Sequence, residues 1–140
     1  MFQGTYLERI GFIMGHAVSE CLFTQEYLDT LLPLETTDRF FEALYGDAED
    51  GAYDIRLEFI SANEKRIVLA FNLIKRPGKC LVCSLTYGLP NVFSRHPLIN
   101  IKGMVKKIEE SGIRIASWRM GDTEEQSNSL HTIPFFLNLE

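Results

Sequence analysis

Cysteine is scarce in this chain. Cys21, Cys80 and Cys83 are the only three, an odd number that excludes a disulfide framework. No apolar run approaches the roughly 20 residues needed to span a bilayer. The opening stretch MFQGTYLERIGF lacks a basic region followed by an apolar core, so no secretory leader is read there. These absences predict a reducing, cytoplasmic setting and no membrane. Glycine-rich phosphate loops, repeats and low-complexity tracts are missing too. A surplus of positive charge is also lacking: 14 Lys and Arg face 19 Asp and Glu, giving a net charge of −5 and a pI near 5.2. An acidic surface repels phosphate backbones, and no helix carries a basic reading face, so nucleic acid is not an expected partner.

The 140 residues that remain to be explained fit one domain spanning 1–140. A chain of that length buries roughly two-thirds of its unfolded surface, so folding requires no metal and no cofactor. The N-terminal third has helical periodicity. Residues 5–22 carry an apolar stripe, Thr24 can cap QEYLDTLL, and Thr36 or Thr37 can cap DRFFEALY, which Gly46 ends. The period then changes to two. Tyr53, Ile55, Leu57 and Phe59 alternate with charged residues, and RIVLAFNLI is apolar on both faces. Arg76-Pro77-Gly78-Lys79 suits a type II turn, after which CLVCSLTY reads as a third strand. GLPNVFSRH reads as a connector, 98–111 as a helix, IRIASWRM as a fourth strand, GDTEEQSNS as a loop and HTIPFFLNLE as a fifth strand. Pro134 cannot donate to a ladder, which predicts an edge position for that last strand. The predicted fold is α+β, with a five-stranded, largely antiparallel sheet in the order ααα-βββ-α-ββ.

Three groups of residues invite a chemical reading. Cys80 and Cys83 would point to opposite faces of a strand, too far apart for the ~3.5–4.5 Å Cβ separation of a disulfide. A redox pair favours a helix N-terminus, and a structural zinc needs two further ligands that pair nowhere else in the chain. Both cysteines are therefore expected to pack as small apolar side chains, and no metal is expected; a redox or metal role is the alternative. Ser94, Arg95 and His96 precede the helix at 98–111; capping by Ser94 or His96 and solvated basic residues is the default reading, and an anion or small molecule held by the helix's free N–H groups is the alternative. Trp118, Phe135 and Phe136 would each forgo ~2 kcal/mol of burial if left in water. Trp118 shares a face with Ala116 and Met120, opposite Ile113 and Ile115; core packing is its default reading and an interface position the alternative. These aromatics, with an open edge at 130–139, point to a protein partner or a homodimer.

The segment RPGKCLVCSLTYGLPNVFSRHPLINI resembles one found in small uncharacterised bacterial proteins of similar length, a likeness that implies no activity. The element order, length and acidic pI are also similar to the small chaperones of type III secretion. That likeness implies a dimer binding unfolded protein segments, and the chain departs from the pattern in its extra N-terminal helices and in lacking a helix after the last strand. The function read from the sequence is a non-enzymatic, cytosolic protein-interaction module, chaperone-like in character.

Overall fold

The computed structural model describes residues 22–47, 51–81 and 86–140. Cys21, Cys83 and all but the last residue of the helix read over 5–22 lie outside them. The fold is α+β, with a five-stranded antiparallel sheet.

Local physics sets the first elements. Helix α1 (Gln25–Leu31) starts at Thr24, whose Oγ1 accepts the Tyr27 N–H at 3.2 Å. It buries Leu28 and Leu31. Helix α2 (Glu35–Tyr45) ends at Gly46, left-handed at φ 82°. Thr36 and Thr37 do not cap this helix; they lie inside it, buried. Thr37 Oγ1 instead accepts the Ile55 N–H at 3.0 Å and donates to the Ile55 carbonyl at 3.3 Å.

Strands β1 (Tyr53–Ala62) and β2 (Arg66–Lys75) form a hairpin with Ile55 opposite Leu73 and Leu57 opposite Phe71. The turn after β2 has the expected form. Gly78 has φ 76°, and the Lys79 N–H reaches the Arg76 carbonyl at 3.1 Å. No third strand follows on the described residues: Cys80 and Leu81 belong to no ladder, and Thr86–Gly88 form a 3-10 turn. The place beside β2 is taken by the last strand, which alternates over its first nine residues and pairs with β2 from Ile74 to Arg66.

Two helices cross back over the sheet. The stretch read as a connector is helix α3 (Leu89–Arg95), with Pro90 in its first turn. Helix α4 (Ile101–Glu110) begins later than Pro97 suggests, at Asn100, a left-handed residue whose Oδ1 accepts the Gly103 N–H at 3.2 Å. Strand β3 (Ile115–Met120) and strand β4 (Glu124–Ser127) then run end to end along one side of β5 (Leu130–Leu139).

The last strand is therefore not an edge. It lies inside the sheet, in the order β1-β2-β5-β3, with β4 on the same flank as β3. Pro134 is tolerated there for a visible reason. Its carbonyl accepts the Gly121 N–H at 2.8 Å, so its missing donor also faces that flank, at the gap between β3 and β4. Outer edges remain at β1 and at β3–β4. The β1 edge is covered by the helices: Thr37 holds the Ile55 backbone, and Gln25 Nε2 donates to the Leu57 carbonyl at 2.9 Å.

One face of the sheet carries the core. Rings pass from helix to sheet in a chain: Phe40 to Phe93 at 5.6 Å, Phe93 to Phe71 at 5.5 Å, Phe71 to Phe135 at 5.6 Å and Phe135 to Trp118 at 5.9 Å. Each such pair adds about 0.5–1.5 kcal/mol beyond its buried area. No helix among the described residues is long and apolar enough to cross a membrane.

Candidate functional site

No helix of the described residues lines the other face of the sheet, and its side chains follow from the register. Asn72 and Thr132 lie between Arg56 and Glu124, Ala70 and Pro134 beside Glu58, and Val68 and Phe136 beside Arg119. A bulge between Phe59 and Ser61 leaves Ile60 half exposed on this side. The result is a trough of about 500 Å³ with an apolar floor of Ile60, Val68, Ala70, Pro134 and Phe136, and with Glu58, Glu124 and Gln126 among its polar lining.

The charged side chains lining the trough are acidic, and two arginines stand just beyond it, around Phe136. The Phe136 ring lies between their two guanidinium groups, Arg66 Cζ at 5.0 Å and Arg119 Cζ at 4.3 Å from its centroid. Arg66 Nε donates to Asn138 Oδ1 at 3.1 Å, and Asn138 in turn donates to Ser117 Oγ at 3.1 Å. Neither arginine has a carboxylate partner among the described residues. Arg56 and Arg76 do: Arg56 meets Asp29 at 3.0 Å, and Arg76 meets Asp38 at 2.9 Å and Asp54 at 3.0 Å. Glu58 accepts from Asn72 Nδ2 at 2.6 Å, while Glu124 is exposed at the rim without an ion-pair partner among the described residues.

The residues singled out from the sequence scatter. Phe136 lines the trough, half-buried. Phe135, its neighbour, points the opposite way into the core at 0% exposure and presents no surface. Trp118 was read as sharing a face with Ala116. A bulge between Ile115 and Ser117 instead turns Trp118 and Met120 to the core side with Ile115, where Trp118 packs on Phe135. Ser94, Arg95 and His96 do come together, but at the end of a helix rather than its start. Ser94 Oγ donates to the Pro90 carbonyl at 2.7 Å, and His96 caps the C-terminus of α3 and accepts the Leu98 N–H through Nδ1 at 3.2 Å. A helix C-terminus presents carbonyl oxygens and repels an anion. Arg95 and His96 line only a shallow hollow with Asn91, Val92 and Pro97, and Ser94 is not among its lining. Cys80 is exposed, and among the described residues no cluster of three or more His, Cys, Asp and Glu is placed to hold a metal ion.

Sequence reasoning missed one polar cluster. Thr86 Oγ1 lies 2.7 Å from His131 Nδ1, and Thr123 Oγ1 donates to the Thr86 carbonyl at 2.8 Å. Thr86 and His131 are each 1% exposed, so no substrate reaches them. The cluster ties the 3-10 turn to β5 and to the gap between β3 and β4. The alternation of HTIPFFLNLE, which places His131 on the same side as Ile133 and Phe135, was the one signal that could have marked it. Charge effects elsewhere are local. The Arg56 guanidinium beside Asp29 holds that carboxyl below its ordinary value, and hydrogen bonding to Glu125 raises the Tyr87 phenol.

No protein-family model matches the chain, and no curated protein and no solved structure matches it either.

Proposed function

We propose that this protein is a non-enzymatic, cytoplasmic interaction module that binds a segment of another protein on the face of its sheet that no described helix lines. The observation that carries the reading is the trough. It places an apolar floor of Ile60, Val68, Ala70, Pro134 and Phe136 on the face opposite the buried core. A concave, apolar-floored hollow of this volume with a few polar groups around it is the usual form of a binding site. The buried Thr86–His131 cluster and the capped turn at 94–97 offer no comparable place for chemistry.

Size argues for a segment over a second copy of the chain. The face spans three strand spacings, about 15 Å, and ten residues of β2, roughly 33 Å, or ~500 Å² in projection. A stable dimer buries about 800 Å² on each partner. Self-pairing through strand 130–139 is closed off, because β5 has neighbours on both sides. A chaperone-like role, holding one stretch of an otherwise unfolded partner, matches a trough of this width.

Photo-crosslinking tests the reading. A benzoylphenylalanine residue in place of Val68 should capture a partner from native lysate, and the same residue in place of Lys106, exposed on α4, should not. Equal capture from both positions, or none from position 68, refutes it. A product of twice the chain mass would assign the face to self-association.

A further inference from the structure

We propose that the trough takes an extended peptide carrying an acidic residue and a basic residue four positions apart, with an apolar side chain midway. The inference rests on the reading above and specifies its partner. The Arg66–Phe136–Arg119 stack supplies the acid's site. A guanidinium laid against a ring keeps its N–H donors at its edge, where they suit a carboxylate. Arg119 has no hydrogen bond to the described residues, and Arg66 uses only Nε, on Asn138. Both guanidinium groups therefore retain donors in a chain whose acidic residues outnumber its basic ones by 19 to 14.

Register sets the spacing. Arg119 lies directly across from Phe136 and Glu124 directly across from Thr132. Those two β5 positions are four residues apart, about 13 Å along a strand. A peptide lying extended along β5 brings residues i, i+2 and i+4 to one face. Residue i meets the arginines, i+4 meets Glu124, and i+2 lies over Pro134, beside Ala70. The two glutamates on the same face disfavour a phosphate backbone, which would have to pass over them.

The test uses the full chain and a fluorescein-labelled peptide, Gly-Glu-Thr-Leu-Thr-Lys-Gly, followed by anisotropy. Replacing the peptide's Glu by Gln should weaken binding about threefold, the worth of one solvent-exposed ion pair. Arg119→Glu should lose the preference for the acidic peptide and gain one for a peptide with Lys in that place. Glu124→Lys should weaken binding through the peptide's Lys. Arg119 and Glu124 are exposed, so both variants should stay folded; Glu124→Lys should melt as the parent does, and Arg119→Glu slightly lower for the lost contact with Phe136. Equal affinity for the Glu and Gln peptides overturns the charge register. If Val68→Asp then abolishes both, the trough itself still binds. No binding by any peptide overturns the inference, and the crosslink from position 68 still judges the broader reading independently. Tighter binding of a single-stranded oligonucleotide than of the peptide would also overturn it.

Discussion

Replacing Thr37 by Val should destabilise the protein although it preserves shape and adds apolar character. Thr37 is 2% exposed, and its hydroxyl answers both backbone groups of Ile55 on the outer edge of β1. Valine fills the same volume and answers neither. A buried polar group left without a partner costs about 1–3 kcal/mol. The amide bond at 3.0 Å is the better of the two, so the net loss is set at about 2 kcal/mol. Unfolding entropy near 2.1 cal/mol/K per residue gives roughly 0.3 kcal/mol/K for 140 residues. The melting temperature should therefore fall by about 7 °C. Thr37→Ser keeps the hydroxyl and loses a methyl, about 0.8 kcal/mol. Calorimetry of the three proteins gives the order parent, Ser, Val. Hydrogen exchange at the Ile55 amide should quicken in the Val variant alone. A Val variant as stable as the parent, or more stable than the Ser variant, would show that this hydroxyl does not hold the edge.

Three further outcomes are expected. Gly78→Ala should cost about 1 kcal/mol in urea unfolding; a Cβ there meets nothing within 4 Å, so the cost is purely the strain of φ 76°, and a neutral result would refute the turn. Phe135→Ala should cost about 3–5 kcal/mol of stability, while conservative Phe135→Leu leaves peptide binding intact, because the ring is wholly inside; altered affinity would place Phe135 at the surface. The folded Asp29 carboxyl is held below its ordinary value by Arg56, so its contribution is present above about pH 4 and lost as pH falls through the folded value. The gap in melting temperature between the parent and Asp29→Asn should accordingly narrow in acid, and a gap constant from pH 7 to pH 2 would contradict the pairing.

What the sequence determined by itself is what neighbours in sequence can enforce. Thr24 caps a helix because its side chain reaches an N–H three residues on. Gly46 and Gly78 stand where the backbone must turn left-handed, a preference of the residue type. The alternation from Tyr53 to Phe59 marked a half-buried strand because side chains on a strand alternate whatever the partner. These local signals also carried the α+β class. The tertiary structure decided what depends on distant partners. Glu124–Ser127 has no apolar pattern, and it becomes a strand only because β5 offers its free side. Pro134 signals an edge in isolation, and the gap at 121–123 lets it sit in the interior. The side on which Trp118 lies was reversed by a bulge, a one-residue slip that periodicity cannot register. The arginine pair on Phe136 joins residues 66, 119 and 136, which share no local pattern. Only the pairing of β2, β5 and β3 brings them onto one face, because strand register, unlike helix period, is fixed by contacts between segments far apart in the chain.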